Sequence, residues 1–97
     1  MIASFRPAAR QEFLDAVRWY LDEGGAVVAD DFDQAVQHAL QLLCFMPRLG
    51  TLAYGDARLW PLKHFPYTLV YQAKGEELTV LAVAHQSREA GYWQVRK

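Results

Sequence analysis

The apolar positions of the chain change their period once, near its midpoint. Ala9, Phe13, Ala16, Val17, Tyr20 and Leu21 recur at helical spacing, with Glu12, Asp15, Arg18 and Asp22 on the other face. This pattern predicts an amphipathic helix. Pro7 suits its first turn, where a missing N–H leaves nothing unpaired, and Gly24-Gly25 suits its end. Val28, Phe32, Val36, Ala39, Leu40 and Leu43 repeat the period. They predict a second helix starting near Val28, with Asp30, Asp31 and Asp33 around its first turn as caps and dipole partners. Pro47 stops it just after Met46. Two such helices joined by a short glycine turn form an antiparallel hairpin, which needs another surface to cover its apolar faces.

The second half of the chain supplies that surface. Residues 67–73 are rich in β-formers, and residues 78–84 form an almost wholly apolar run, expected at the sheet centre under the helices. Lys74-Gly75-Glu76-Glu77 between them reads as a hairpin connection. Residues 57–62 form another strand, which Pro61 would confine to an edge or a bulge. Residues 49–56, punctuated by Gly50 and Gly55, read as a loop, and residues 1–5 as a short edge strand. The order is β-α-α-β-β-β. This predicts one α+β domain over residues 1–97, a helical hairpin packed on a small, mainly antiparallel sheet.

Composition narrows the function. A chain of 97 residues has room for one domain with a real core. Its single cysteine, Cys44, excludes an internal disulfide framework, suits a reducing compartment and reads as a small core residue. No apolar run reaches the roughly 20 residues of a membrane span. The opening residues lack the pattern of a secretory signal, so a cytoplasmic location is expected. The net charge of −1 hides an asymmetry. Residues 1–56 hold four arginines against eight carboxylates, whereas residues 57–97 hold six cations against three carboxylates. Such a split points to charged partners.

There is no glycine-rich phosphate loop, no GxSxG and no CxxC, and His38, His64 and His85 fall in separate segments without metal-ligand spacing. No metal or cofactor is expected. Arg58, Lys63, His64, His85, Arg88 and Tyr92 form the remaining set with chemical potential. A general acid or base such as His85 or Tyr92, with Arg88 and Lys63 stabilising phosphate charge, would suit phosphoryl transfer on RNA. The bland reading is a structural His85 at a strand end and a Tyr92-Trp93 pair packing the C-terminal tail. Trp19 and Trp93 are expected in the core, although Trp60 and Trp93 also suit the anchoring role aromatics play at interfaces.

The residues Phe5-Arg6-Pro7-Ala8-Ala9, Trp19-Tyr20, Met46-Pro47, Arg58, Phe65-Pro66-Tyr67-Thr68-Leu69-Val70-Tyr71, Ala84-His85-Gln86-Ser87-Arg88 and Gly91-Tyr92-Trp93 occur in that order. In this combination the chain resembles the RelE/ParE superfamily of toxins from bacterial type II toxin–antitoxin modules. The resemblance implies a helical hairpin on an antiparallel sheet and a cognate antitoxin partner, with Arg58, Trp60, Lys63, His64 and Trp93 as binding candidates. It implies no sequence-specific DNA binding by the toxin alone. RelE-like members cut messenger RNA on the ribosome with middle-strand basic residues and a C-terminal Arg and Tyr, whereas ParE-like members poison DNA gyrase. Leu59 and Pro61 stand where the nucleases carry Lys, and Thr68 where they carry Arg. The expected function is therefore ParE-like gyrase inhibition. The alternatives are a ribosome-dependent nuclease using His85, Arg88 and Tyr92, and a non-toxic member that only binds antitoxin.

Overall fold

The computed structural model describes residues 1–96. Strand β1 (Ile2–Phe5) leads into helices α1 (Pro7–Gly24) and α2 (Ala26–Phe45). Strands β2 (Thr51–Tyr54), β3 (Ala57–Pro61), β4 (Tyr67–Lys74) and β5 (Glu77–His85) follow, and a short 3₁₀ turn, Tyr92–Val95, closes the fold. The sheet order is β1-β5-β4-β3-β2, antiparallel except for the parallel β1–β5 pair. The α+β class and the helical hairpin agree with the sequence pattern.

Pro7 opens α1, and Gly25 takes a φ of 89°, the region that lets one residue end α1 and begin α2 without a longer loop. Because α2 starts at Ala26, two residues before Val28, the aspartates lie beyond its first turn. The capping expectation is corrected: Asp30 and Asp33 instead accept hydrogen bonds from Gln34 and Gln37 one turn on. Phe32, Val36, Ala39, Leu40 and Leu43 of α2 and Ala9, Ala16 and Tyr20 of α1 are buried against Leu69, Tyr71, Leu78, Val80 and Val83. Phe32 stands at the middle of an aromatic cluster, its ring centroid 5.1 to 6.0 Å from those of Tyr20, Tyr67, Phe65 and Phe13. Trp19, expected in the core, is 58% exposed, because it falls on the solvent side of α1.

The stretch expected to be a loop contains β2. This strand was illegible because its four residues are all exposed and carry no alternation. Its presence moves β3 off the edge, so the expectation for Pro61 is also corrected. β2 pairs β3 only as far as Thr51 opposite Leu59, while the Leu62 N–H, on the other side, bonds Tyr67 of β4. The absent N–H of Pro61 therefore points where β2 has already ended, and no ladder bond is lost. The entry to β2 is tied down by Tyr71, whose hydroxyl accepts from Gly50 N–H at 2.9 Å and donates to the Pro47 carbonyl at 2.8 Å. A Cβ at Gly50 would lie 2.6 Å from that hydroxyl, so the approach requires glycine.

The apolar run of β5 does not all face the helices, and β4, not β5, is the middle strand. Tyr71 pairs with Val80 and Val70 with Ala82, leaving Leu81 as an extra residue in the strand. This bulge shifts the alternation. Leu78, Val80 and Val83 join the helix-covered core, while Leu81 and Ala82 join Ala57, Val70 and Trp93 in a second cluster on the opposite face. An uninterrupted apolar run here records a change of face.

Candidate functional site

β1 ends at Phe5, and its last ladder bond runs from Arg6 N–H to the Val80 carbonyl. Beyond that point the outer edge of β5 has no strand partner. α1 and the C-terminal segment supply one. Glu12 Oε1 accepts from the Val83 N–H at 3.0 Å, and the Arg96 guanidinium donates to the Leu81 carbonyl at 3.1 Å. Arg96 and Glu12 also form an ion pair at 2.8 Å, with side chains 21% and 15% exposed. The Tyr92 hydroxyl donates to Glu12 Oε2 at 2.5 Å, and Arg88 lies 3.8 Å from the same oxygen with its guanidinium over the Tyr92 ring. One carboxylate thus joins the first helix, an interior strand and the C-terminal turn.

Burial and the neighbouring Glu12 carboxylate push the Tyr92 phenol up to about 12. Burial also raises Tyr20 and Tyr67. The folded state holds these protons more tightly than the unfolded chain, so their contribution is whole below pH ~10 and lost as pH rises towards the folded values. In a near-ultraviolet titration, Tyr92 is expected to ionise near pH 12 and Tyr92→Phe to remove that step. Ionisation of every tyrosine by pH ~10 would contradict this.

The sequence-derived candidates are distributed over three places. His85, Arg88 and Tyr92 line one groove of about 390 Å³ on the sheet face away from the helices, floored by Leu59, Thr68 and Val70. His85 sits edge-on to Tyr67, and its Nδ1 accepts from the Ser87 N–H at 3.0 Å, with the Ser87 hydroxyl at 2.8 Å. Trp60, Lys63 and His64 lie together along a second groove, beside α2. Arg58 belongs to neither: its guanidinium donates to the carbonyls of Arg48 and Gly50 at 3.2 and 2.8 Å, fastening the loop before β2. Trp93 lines the first groove as well, its indole largely buried against the second cluster, where it anchors the C-terminal turn to the sheet.

The helical period places Glu12 on the outer polar face, whereas the structure turns it onto the sheet edge. The available signal is its position three residues after Ala9 and four before Ala16, two small residues that are both buried. A carboxylate on that border can reach the sheet. Among the described residues, no group of three His, Cys, Asp or Glu is placed to hold a metal ion. No helix among them is long and apolar enough to cross a membrane.

A family model described as the ParE toxin of the type II toxin–antitoxin system parDE matches residues 3–90. The chain belongs to the ParE toxin family. A solved structure of the chromosomal ParDE toxin–antitoxin system from P. aeruginosa shares the ParE-like fold, with a TM-score of 0.63 at 16% identity over 88% of this chain and 95% of that one. Comparison with curated proteins finds no match. The RelE/ParE resemblance read from the motifs is thereby established, and this ParE-family chain is a toxin of the type II class.

Proposed function

We propose that this ParE-family toxin acts in the cytoplasm by binding DNA gyrase as a stoichiometric inhibitor, and that a cognate antitoxin neutralises it. The observation that carries this reading is the Glu12 cluster. A nuclease of the RelE type needs mobile protons and free cations at its C-terminal Arg and Tyr. Here the Tyr92 phenol donates to Glu12 and is pushed up to about 12, while Arg88 and Arg96 both face that carboxylate. A group with so high a pKa is a poor base at neutral pH. Of the other cations in the basic half, Arg58 is engaged by carbonyls and Lys74 by Asp56 at 3.0 Å. Among the described residues of this half, Lys63 alone is left without such a partner, a small charge for RNA, which is bound largely through phosphate contacts.

A nuclease acting on ribosome-bound messenger RNA is the second reading. It is favoured by the convergence of His85, Arg88 and Tyr92 on one groove. Induction without antitoxin, followed by supercoiling assays with purified gyrase and primer extension on translated messages, separates the two. The expected result is growth arrest, inhibited gyrase and no codon-specific cleavage. Tyr92→Phe is expected to keep growth arrest within about threefold of wild type, since the ring remains beneath Arg88. Cleavage at codons that disappears in Arg88→Ala with Tyr92→Phe would overturn the gyrase reading in favour of the nuclease. Normal growth on induction would assign the chain to the non-toxic, antitoxin-binding alternative.

A further inference from the structure

A cleft of about 280 Å³ lies between α1 and the end of β5 that β1 leaves uncovered. Glu12, Asp15 and Trp19 of α1 form one wall, and Tyr67, Val83 and His85 of the sheet form the other. Its volume falls below the roughly 300–1,000 Å³ of small-molecule sites and suits a single side chain of a larger partner. The edge of β5 keeps two unpaired backbone groups along it. Tyr67 lies opposite His85, but its N–H bonds the Phe65 carbonyl and its own carbonyl accepts from Leu62. The His85 backbone therefore faces away from β4, and Val83, two residues earlier, faces the same way, with its N–H on Glu12. Among the described residues, the Val83 carbonyl and the His85 N–H have no hydrogen-bond partner.

We infer that this cleft receives a lysine or arginine side chain carried on a short extended segment of gyrase. The inference rests on the gyrase reading above and adds where the toxin holds its target and by what chemistry. Two observations carry it. The first is an exposed ring among unpaired carboxylates. Trp19 is 58% exposed, with Asp15 and Glu23 one helical turn to either side. Tyr20 holds the indole in place, its ring at 84° to it with centroids 5.2 Å apart. Asp15 accepts from the Gln11 amide at 2.8 Å, and among the described residues neither Asp15 nor Glu23 forms an ion pair. Arg88 does not fill that role, because its guanidinium lies over the Tyr92 ring and 3.8 Å from Glu12. A cation entering between Asp15 and the indole gains a charge partner and a ring face together. Gyrase holds DNA, so the surfaces along its DNA path carry lysine and arginine, and an acidic cleft complements them.

The second is the backbone. In a parallel ladder, one residue donates to the carbonyl of residue i−1 of its neighbour and accepts from the N–H of residue i+1. The Val83 carbonyl and the His85 N–H flank Ala84 in that way, on the side of β5 that β1 pairs in parallel farther back. An extended segment laid in the cleft therefore satisfies its own peptide groups on β5 while its side chain turns towards Asp15 and Trp19. A helix there would leave both β5 groups unpaired.

The probe is purified gyrase, assayed for supercoiling and for toxin binding. Asp15→Lys, which reverses the charge, and Trp19→Ala, which removes the ring, are each expected to raise the inhibitory concentration by about tenfold or more. Circular dichroism and co-purification with the antitoxin are expected to stay as in wild type. Asp15→Glu and Trp19→Phe, which keep the charge and the ring, are expected to inhibit within about threefold of wild type. In the complex, exchange of the His85 amide is expected to slow by about tenfold or more. Should Trp19→Ala fail to fold, Asp15→Lys at an exposed position still decides. Wild-type inhibition by Asp15→Lys, or a His85 amide that exchanges equally fast in the complex, overturns the cleft while leaving the gyrase reading intact. Loss of antitoxin co-purification alongside inhibition also overturns it, assigning the cleft to the antitoxin. If wild-type toxin itself neither binds nor inhibits gyrase, the gyrase reading falls and the cleft inference with it.

Discussion

Phe32→Ala is expected to destabilise the protein by about 3–5 kcal/mol, the usual cost of deleting a fully buried aromatic ring from a core. The side chain is 0% exposed, and its ring meets Phe13 and Tyr20 of α1, Phe65 of the β3–β4 connection and Tyr67 at the start of β4. Its removal takes away the contact that holds both helices and the sheet at one point. The neighbours are aromatic rings fixed by their own packing, so the cavity cannot collapse cheaply. A domain of this size has a total stability of about 5–15 kcal/mol, and each kcal/mol lowers the melting temperature by roughly 4–8 °C. A fall of more than about 12 °C is therefore expected in thermal melting. A fall of less than about 4 °C would show that the ring cluster carries little of the stability.

Glu12→Ala is expected to cost about 2–4 kcal/mol and to loosen the C-terminal turn selectively. The substitution leaves the Arg96 charge without its partner, the Val83 N–H without its acceptor and the Tyr92 hydroxyl without its own. Each of these groups is largely shielded from water, so the cost is that of unpaired polar groups and exceeds the worth of a surface ion pair. Glu12→Gln keeps an acceptor for Val83 and loses only the charge, so roughly half the cost is expected. Amide exchange at Val83 and the emission of Trp93 distinguish this from general destabilisation. Both are expected to change in Glu12→Ala before the helical signal does. An unfolding curve within about 0.5 kcal/mol of wild type, with Val83 still protected, would show that the cluster holds nothing together.

The helical hairpin was legible because its apolar residues repeat at the helical period and its boundary is a pair of glycines, one of which takes a positive φ. β4 and β5 were legible from their β-branched and aromatic content. β2 was not, because a fully exposed four-residue strand leaves no pattern and is held by pairing with β3 alone. The candidate site was read in pieces. His85, Arg88 and Tyr92 do share a groove, and Trp60, Lys63 and His64 share another. Arg58 and Trp93 look like binding residues by type, yet one holds a loop and the other a core.

The helical hairpin, the β-rich second half, the α+β class and the family resemblance are all legible in the chain's residues alone. All four are carried by local periods or by residues close together in the chain. Tertiary structure alone decided which faces the β5 run covers and what the C-terminal arginines do. The bulge at Leu81 appears only when β4 and β5 are paired. Glu12 meets Val83, Tyr92 and Arg96 across 71, 80 and 84 residues of chain. A carboxylate on the border of an amphipathic helix reads as solvated until the strand edge it closes is known. The basic charge of the second half therefore resolves only in three dimensions, where Arg88 and Arg96 meet Glu12 and Lys74 meets Asp56 of the acidic first half.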